Sequence, residues 1–190
     1  MTVDSGGRDS VSGFRKGLSK IEIALKWDPS PTGTPANDLD IIAGVYSEAD
    51  PNGQASYLVH FGSRSPDGTI TLNRDSRTGQ GLGFDEVMTL ELTRLADRYT
   101  RVVVGVAIQP TGAEERPKSF RDIPHAHIRI SEGYTELAEH DFSFVESSSS
   151  ATVAEFTRNE HGAWTFRQAV RGFDAGPADF TRVMGSAHSR

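Results

Sequence analysis

The sequence predicts an all-β fold, a sandwich of two packed sheets with a few short helices. Segments of four to ten residues with apolar alternation recur along the chain at close spacing, and nineteen glycines supply turns between them. Long stretches with helical periodicity are scarce. Since 190 residues suffice for one domain with a sizeable core, we expect a single sandwich rather than several units.

The N-terminal half supplies most of the predicted strands. Apolar residues alternate with Glu22, Ala24 and Lys26 through 21–27, which indicates a strand with one buried face. The next segment, 28–35, holds three prolines and must be a loop. Mostly apolar or alternating runs then predict strands at 39–46, 57–61, 69–72, 87–92 and 101–108, with a Ser65–Gly68 turn before 69–72.

The C-terminal half predicts shorter elements. Pro117 and Pro124 bound a short helix at 118–122, strands follow at 125–130 and 138–144, and 147–150 is a polar loop. A hairpin joins 153–158 to 164–170. A helix at 174–184 has Asp174 as its cap and an apolar side of Phe180, Val183 and Met184. Residues 1–12 and 186–190 are predicted disordered tails, which leaves 13–185 as the domain.

Composition excludes several classes of function. Cysteine is absent, so the protein has no disulfide, thiolate metal site or cysteine nucleophile. The absence of cysteine is compatible with a reducing compartment. The net charge of −6 and the lack of a dense Lys/Arg stripe argue against nucleic-acid binding. No basic-then-apolar leader and no long apolar run are present, which predicts a cytoplasmic protein that does not insert into membranes.

A glycine-rich loop at 75–86 is the strongest chemical signal. It begins with Asp75, ends with Asp85 and Glu86, and has glycine at three alternate positions between them. Such a loop can wrap oxygen atoms around a hard cation such as calcium. It is not an EF-hand, because Arg77 and Gln80 occupy the third and sixth positions and no helical pattern frames the loop. It also lacks the signatures of phosphate-binding and dinucleotide-binding loops.

Several motifs in a fixed order give the chain a family resemblance over about 16–185. They are Leu25-Lys-Trp-Asp28, Asp38-Leu-Asp40, Ser65-Pro-Asp-Gly68, Thr78-Gly-x-Gly81 followed by Asp85-Glu86, Ile128-Arg-Ile130, and Gly162-Ala-Trp-Thr-Phe-Arg167 followed by Gly172-Phe173. The chain resembles the TerD family of tellurium-resistance and bacterial stress proteins. The resemblance implies a cytoplasmic β-sandwich that binds calcium between long loops at one end and has no established enzymatic activity.

The resemblance also implies a set of metal ligands, and the departures of this chain from the family pattern indicate weaker binding. The matching acidic positions that we assign to calcium are Asp38, Asp40, Asp75, Asp85 and Glu86. The family's loop is more acidic at the positions of Ser76, Gln80, Leu82 and Phe84, and Arg64, Arg74 and Arg77 lie nearby in sequence. We therefore expect one weakly held calcium ion or none, instead of the two that the family implies.

Three functions follow as hypotheses. The first is a non-enzymatic calcium-binding stress protein whose loops, ordered by calcium, bind protein partners. The second keeps the fold without metal and makes it an interaction module, with the arginines supplying the charge of the cation. The third is a metal-dependent hydrolase that uses His125 and His127, which share a strand face with Arg129. An acidic set without a base to activate water favours the first over the third.

Overall fold

A computed structural model describes residues 17–112 and 115–187. The predicted tail at 1–12 lies outside the described residues, as do 188–190 of the predicted C-terminal tail. Ser186 and Ala187, from the same predicted tail, accept hydrogen bonds from the guanidinium of Arg171 at 2.8 and 3.4 Å.

Ten strands form two five-stranded sheets, which confirms the predicted all-β sandwich. All strand pairs are antiparallel. The strands are β1 (Lys20–Lys26), β2 (Leu39–Ser47), β3 (Tyr57–Val59), β4 (Ile70–Arg74), β5 (Glu86–Glu91), β6 (Tyr99–Ile108), β7 (His127–Glu132), β8 (Thr135–His140), β9 (Ser150–Arg158) and β10 (Trp164–Phe173). One sheet has the order β4-β5-β1-β7-β8 and the other β10-β9-β6-β2-β3.

The core lies between the sheets, with a smaller apolar layer outside one of them. Alternate residues of β1 are buried toward the second sheet, and Trp27 and Trp164 are buried with them. Strands β2 and β6 are buried on both faces, because α1 (Pro177–Val183) packs Phe180 against their outer side. This explains why 39–46 and 101–108 read as continuous apolar runs. Full burial of one such large side chain contributes about 1.5–3 kcal/mol.

The C-terminal helix begins later than the sequence indicated. Its N-cap is Gly176 and Pro177 is its first residue, so Asp174 does not cap it as predicted. Proline suits that position because its missing N–H would have no helical partner there. Phe180 and Met184 are buried as expected, whereas Val183 faces solvent.

Two shorter elements also differ from their predicted bounds. The segment 118–122 forms only a 3-10 turn, Phe120–Asp122, with a capping box between Ser119 and Asp122. The predicted strand at 138–144 ends at His140. Phe142 then takes a left-handed conformation and stacks on Phe120 with ring centroids 4.3 Å apart, which turns the chain out of the sheet.

Strand directions bring several loops together at one end of the sandwich. Lys26 at the end of β1 pairs with His127 at the start of β7, and Leu25 pairs with Glu86 at the start of β5. Strand β4 ends beside the start of β5, since Arg74 pairs with Val87. We call this the loop end. The β7–β8 turn lies at the opposite end.

Candidate metal centre

Three carboxylates converge at the loop end. One oxygen each of Asp40, Asp75 and Glu86 lies within 4.8 Å of the others. Asp40 is 2 % exposed and Glu86 is 0 % exposed, while Asp75 is open to solvent. We call these three residues the acidic cluster. It therefore consists of two buried carboxyl groups and one exposed loop carboxylate.

The acidic cluster is assembled from both sheets. Asp40 is the second residue of β2, in one sheet, and Glu86 is the first residue of β5, in the other. Asp75 follows the last residue of β4. The backbone N–H of Ile41 donates a 2.6 Å hydrogen bond to Glu86 Oε2 across the gap between the sheets. The fold itself thus brings these oxygens together.

Trp27 fixes the loops on either side of the acidic cluster. Its Nε1–H donates a 2.8 Å hydrogen bond to the carbonyl oxygen of Asn37, just before β2. Gly79 packs against the same ring with a φ of +66°, and a Cβ at that position would lie 2.6 Å from Trp27 Nε1. Only glycine accommodates both the left-handed conformation and this close approach. The indole therefore sets the position of the glycine-rich loop.

Lys118 gives the loop before β2 a second anchor. Its Nζ donates to the carbonyl oxygens of Pro35 and Ala36, both at 2.9 Å, and to Asn37 Oδ1 at 3.0 Å. Three acceptors satisfy all the donors of an ammonium group. These contacts therefore anchor the backbone segment that leads into Asp38 and Asp40.

The buried carboxyl oxygens of this region are not satisfied by protein groups. Four such oxygens are buried and accept no hydrogen bond among the described residues: Asp38 Oδ1, Asp40 Oδ2, Asp85 Oδ1 and Glu86 Oε1. A buried charge without a partner is strongly unfavourable, so such groups either take up a proton or bind a cation.

Burial and mutual repulsion raise the pKa values of these groups. Burial, followed by the charges of Asp40 and Asp75, raises the pKa of Asp38 to about 7, against the lowering effect of Arg77. Burial likewise raises the pKa of Asp40, although the neighbouring side chains of Gln109 and Glu86 lower it. Burial and the nearby Asp40 and Asp75 raise the pKa of Glu86 far above its usual range, and the Ile41 N–H offsets part of this.

These residues fit a hard divalent cation. Calcium and magnesium take oxygen ligands, and the acidic cluster offers carboxylate oxygens from three separate segments. A cation there would satisfy Asp40 Oδ2 and Glu86 Oε1, which otherwise have no partner in the described ranges.

The structure divides the sequence-predicted ligands into two groups. Asp40, Asp75 and Glu86 meet in the acidic cluster, and Asp38 lies near enough for Asp40 and Asp75 to raise its pKa. Asp85 lies outside the cluster. Its buried Oδ2 accepts hydrogen bonds from the Trp27 backbone N–H at 3.0 Å and from Lys26 Nζ at 3.4 Å.

The arginines near the loop do not substitute for a cation by direct contact. Within residues 17–112 and 115–187, Arg64, Arg74 and Arg77 form no ion pair with any carboxylate. The charge of Arg77 nevertheless lowers the pKa values of Asp38 and Asp40, so it acts on the site from a distance.

The predicted histidine face does not form a metal site with the acidic residues. His125 precedes β7 and its Nδ1 lies 2.7 Å from Asp28 Oδ2, while the ring of His127 contacts the edge of Phe84. In the part of the chain that the structure describes, the residues grouped closely enough to share a metal ion include no histidine.

Two supporting residues were not recognised from the sequence. Gln109 follows β6, its side chain lowers the pKa of Asp40, and its backbone N–H donates to the carbonyl oxygen of Asp38 at 2.8 Å. Lys118 lies about eighty residues from the carbonyls that it holds. Both contacts depend on chain segments that are remote in sequence, and no local pattern signals them.

Comparisons with known proteins place the chain among relatives along nearly its whole length. The TerD domain family matches residues 1–182. The tellurium resistance protein TerD from Alcaligenes sp. is 28% identical over 188 residues, 97% of each chain. A crystallised homologue of the telluride resistance protein TerD from Streptomyces coelicolor A3(2) is 50% identical, with a TM-score of 0.86 over 90% of this chain and 100% of that one.

A second crystal structure is similar to this chain to nearly the same degree. The protein of unknown function SAV2460 is 54% identical, with a TM-score of 0.87 over 91% of this chain and 100% of that one. Among the described residues of the present chain, no helix has the length and hydrophobicity needed to cross a membrane.

Proposed function

Because the chain belongs to the TerD domain family, we propose that it is a calcium-binding protein of a tellurite-resistance or stress system. One calcium ion binds between Asp40, Asp75 and Glu86, with Asp38 next to it as a further acidic group. The single observation that carries the proposal is that Asp40 and Glu86 converge with Asp75, while each has a buried oxygen, Asp40 Oδ2 and Glu86 Oε1, that accepts no hydrogen bond among the described residues.

In this proposal the metal orders the loop end. Asp40 and Glu86 are fixed by strands of opposite sheets, whereas Asp75 belongs to the exposed glycine-rich connection. Calcium ties that connection to the two strands and so presents one loop surface to protein partners in the cytoplasm. The role in this proposal is structural and non-enzymatic, and the residues grouped in the cluster within the described ranges are all carboxylates.

A second candidate is the metal-free interaction module. The observation that favours it is the effect of Arg77, whose positive charge lowers the pKa values of Asp38 and Asp40. Against it stands the absence, among the described residues, of an ion pair between Arg77 and the acidic cluster. The two candidates differ in what neutralises the carboxylates: calcium in the first, and protons with a distant arginine in the second.

Isothermal titration calorimetry on chelator-treated protein distinguishes the candidates. We expect saturable binding of one calcium ion by the unaltered chain and its loss in Glu86→Gln. The matched control is Glu136→Gln, an exposed glutamate on β8, which should bind calcium as the unaltered chain does. Magnesium should bind more weakly. No binding heat at millimolar calcium would overturn the proposal and favour the metal-free module.

A further inference from the structure

Three arginines, in the β3–β4 connection, at the end of β4 and in the glycine-rich loop, have no partner within the described chain. Arg64, Arg74 and Arg77 donate no hydrogen bond, form no ion pair and stack on no ring in residues 17–112 and 115–187. The other arginines of those ranges each do at least one of these things: Arg94, Arg98, Arg101, Arg116, Arg121, Arg129, Arg158, Arg167, Arg171 and Arg182. The unpartnered arginines therefore all belong to one stretch of the chain, residues 64–77.

Each of these arginines lies beside the acidic cluster or beside the glycine-rich loop that carries Asp75. Arg64 and Asp75 line the same cavity of about 420 Å³, beside His60 and Phe61. Arg74 immediately precedes Asp75, and its Nη2 lies 3.6 Å from the point that a Cβ on Gly81 would occupy. The charge of Arg77 lowers the pKa values of Asp38 and Asp40. Together the three form what we call the arginine rim.

The arginine rim beside a cation site has a clear chemical consequence. Calcium takes six to eight oxygen ligands, so three carboxylate residues leave positions open on the side of exposed Asp75. Guanidinium groups next to a bound cation are unfavourable unless an anion lies between them. A phosphate suits that place, because its oxygens can bind a metal and accept paired hydrogen bonds from arginine at the same time. A carboxylate has only two oxygens with which to bind the metal and accept hydrogen bonds from arginine.

We propose that the loop end binds a phosphate monoester, with one phosphate oxygen on the calcium at the acidic cluster and the others on the arginine rim. This inference rests on the proposed calcium site and adds its ligand class. The ester comes either from a soluble metabolite or from a lipid headgroup. The lipid source has one supporting feature, the side chain of Leu82, which is 96 % exposed within the same glycine-rich loop.

Calorimetry with glycerol 3-phosphate tests the phosphate contact. We expect binding in the presence of calcium and none with chelator. Arg74→Gln combined with Arg77→Gln should weaken glycerol 3-phosphate binding about tenfold or more, since each lost hydrogen bond to a charged group has that order of effect. Arg182→Gln, which removes an exposed arginine on α1, is the matched control and should change nothing.

Vesicle sedimentation distinguishes the two sources of the phosphate. Phosphatidylcholine vesicles with and without phosphatidic acid are mixed with protein and calcium. A lipid source predicts sedimentation with phosphatidic acid only, reduced several-fold by Leu82→Ser and unaffected by Tyr134→Ser, which alters an exposed aromatic residue at the opposite end. A soluble source predicts glycerol 3-phosphate binding without sedimentation.

Failure of the phosphate inference can be distinguished from failure of the proposed calcium site. If calcium binds but neither glycerol 3-phosphate nor phosphatidic acid vesicles do, the inference is overturned and the proposed function stands. Phosphate binding that is indifferent to the arginine replacements, or to chelator, also overturns the inference. If calcium itself does not bind, the proposed function fails and the inference fails with it.

Discussion

Glu86 Oε2 accepts a 2.6 Å hydrogen bond from the backbone N–H of Ile41, and this contact joins β5 of one sheet to β2 of the other. The second oxygen of the same carboxyl group, Oε1, is buried without a partner in the described chain. One oxygen therefore serves the fold, and the other is available for a cation beside Asp40 and Asp75.

Glu86→Gln should abolish the stabilisation by calcium and leave the calcium-free protein almost unchanged. The amide oxygen keeps the bond from Ile41, and the raised pKa of Glu86 means that its carboxyl group is protonated near neutral pH without metal. At a hundredfold excess over its dissociation constant, calcium should stabilise the unaltered chain by about 2.7 kcal/mol. Thermal unfolding with calcium and with chelator measures both effects. A variant that keeps the full calcium shift would contradict the assignment.

Asp85→Asn should lower the stability of the protein and leave its calcium affinity nearly unchanged. Asp85 is buried and accepts hydrogen bonds from Trp27 N and Lys26 Nζ, so loss of its charge should lower the free energy of unfolding by about 1–3 kcal/mol. Calcium affinity should stay within about twofold, an order-of-magnitude bound for a residue outside the metal site. Urea unfolding and calorimetry check the two parts. Tenfold weaker calcium binding at unchanged stability would make Asp85 a ligand instead.

The stability of the calcium-free protein should fall as the pH rises. The pKa of Asp38 rises from 3.8 in the unfolded chain to about 7 in the folded one, and those of Asp40 and Glu86 also rise, so the folded calcium-free protein binds more protons than the unfolded chain. The resulting stability is fully present below about pH 4 and is lost as pH rises through 7.

Melting temperatures at pH 5 and pH 8 test this relation. As far as these three groups are concerned, the chelator-treated protein should be more stable at pH 5. Calcium should bind more tightly at pH 8, because its ligands must be deprotonated. Asp38→Asn should reduce the pH effect in chelator. A calcium affinity that is equal at both pH values would contradict the raised pKa values.

Arg77→Ala separates the calcium site from the metal-free module. Since Arg77 contacts no carboxylate among the described residues, its removal should change the unfolding free energy in chelator by no more than about 0.5 kcal/mol. Calcium should bind several-fold more tightly, because removing one exposed positive charge is worth roughly 1 kcal/mol or less. A clear loss of stability in chelator, without tighter calcium binding, would support the arginine as substitute for the cation.

Gly79→Ala should damage the loop more than a matched glycine replacement. Gly68 also has a positive φ, +70°, but nothing lies within 4 Å of a Cβ placed there, so Gly68→Ala reports backbone strain alone, about 1 kcal/mol. At Gly79 the added methyl group meets Trp27 Nε1 at 2.6 Å. Gly79→Ala should therefore lose more stability and also calcium affinity. Equal effects of the two changes would show that the contact with Trp27 is unimportant.

Local patterns in the sequence were sufficient for the strands and not for their ends. Alternation predicted β1, and the hairpin of β9 and β10 was found with its turn. The end of β8 was missed because Phe142 leaves the sheet to stack on Phe120, a partner some twenty residues away. The helix start was missed because Pro177, rather than Asp174, determines it.

The candidate site was partly readable from strand geometry. Residues two apart on a strand share a face, which keeps Asp38 and Asp40 together, whereas adjacent residues face opposite sides. Asp85 and Glu86 are adjacent, and they indeed divide between Trp27 and the acidic cluster. The position of Arg77 was not readable, because three glycines with positive φ set the path of the loop around it.

A crystal structure determined with calcium in the mother liquor tests the central claim most directly. The account predicts one calcium ion bound to carboxylate oxygens of Asp40, Asp75 and Glu86 at about 2.3–2.6 Å, with the Ile41–Glu86 hydrogen bond intact. A structure at saturating calcium with no ion between these residues, or with the guanidinium of Arg77 in that place, would contradict it.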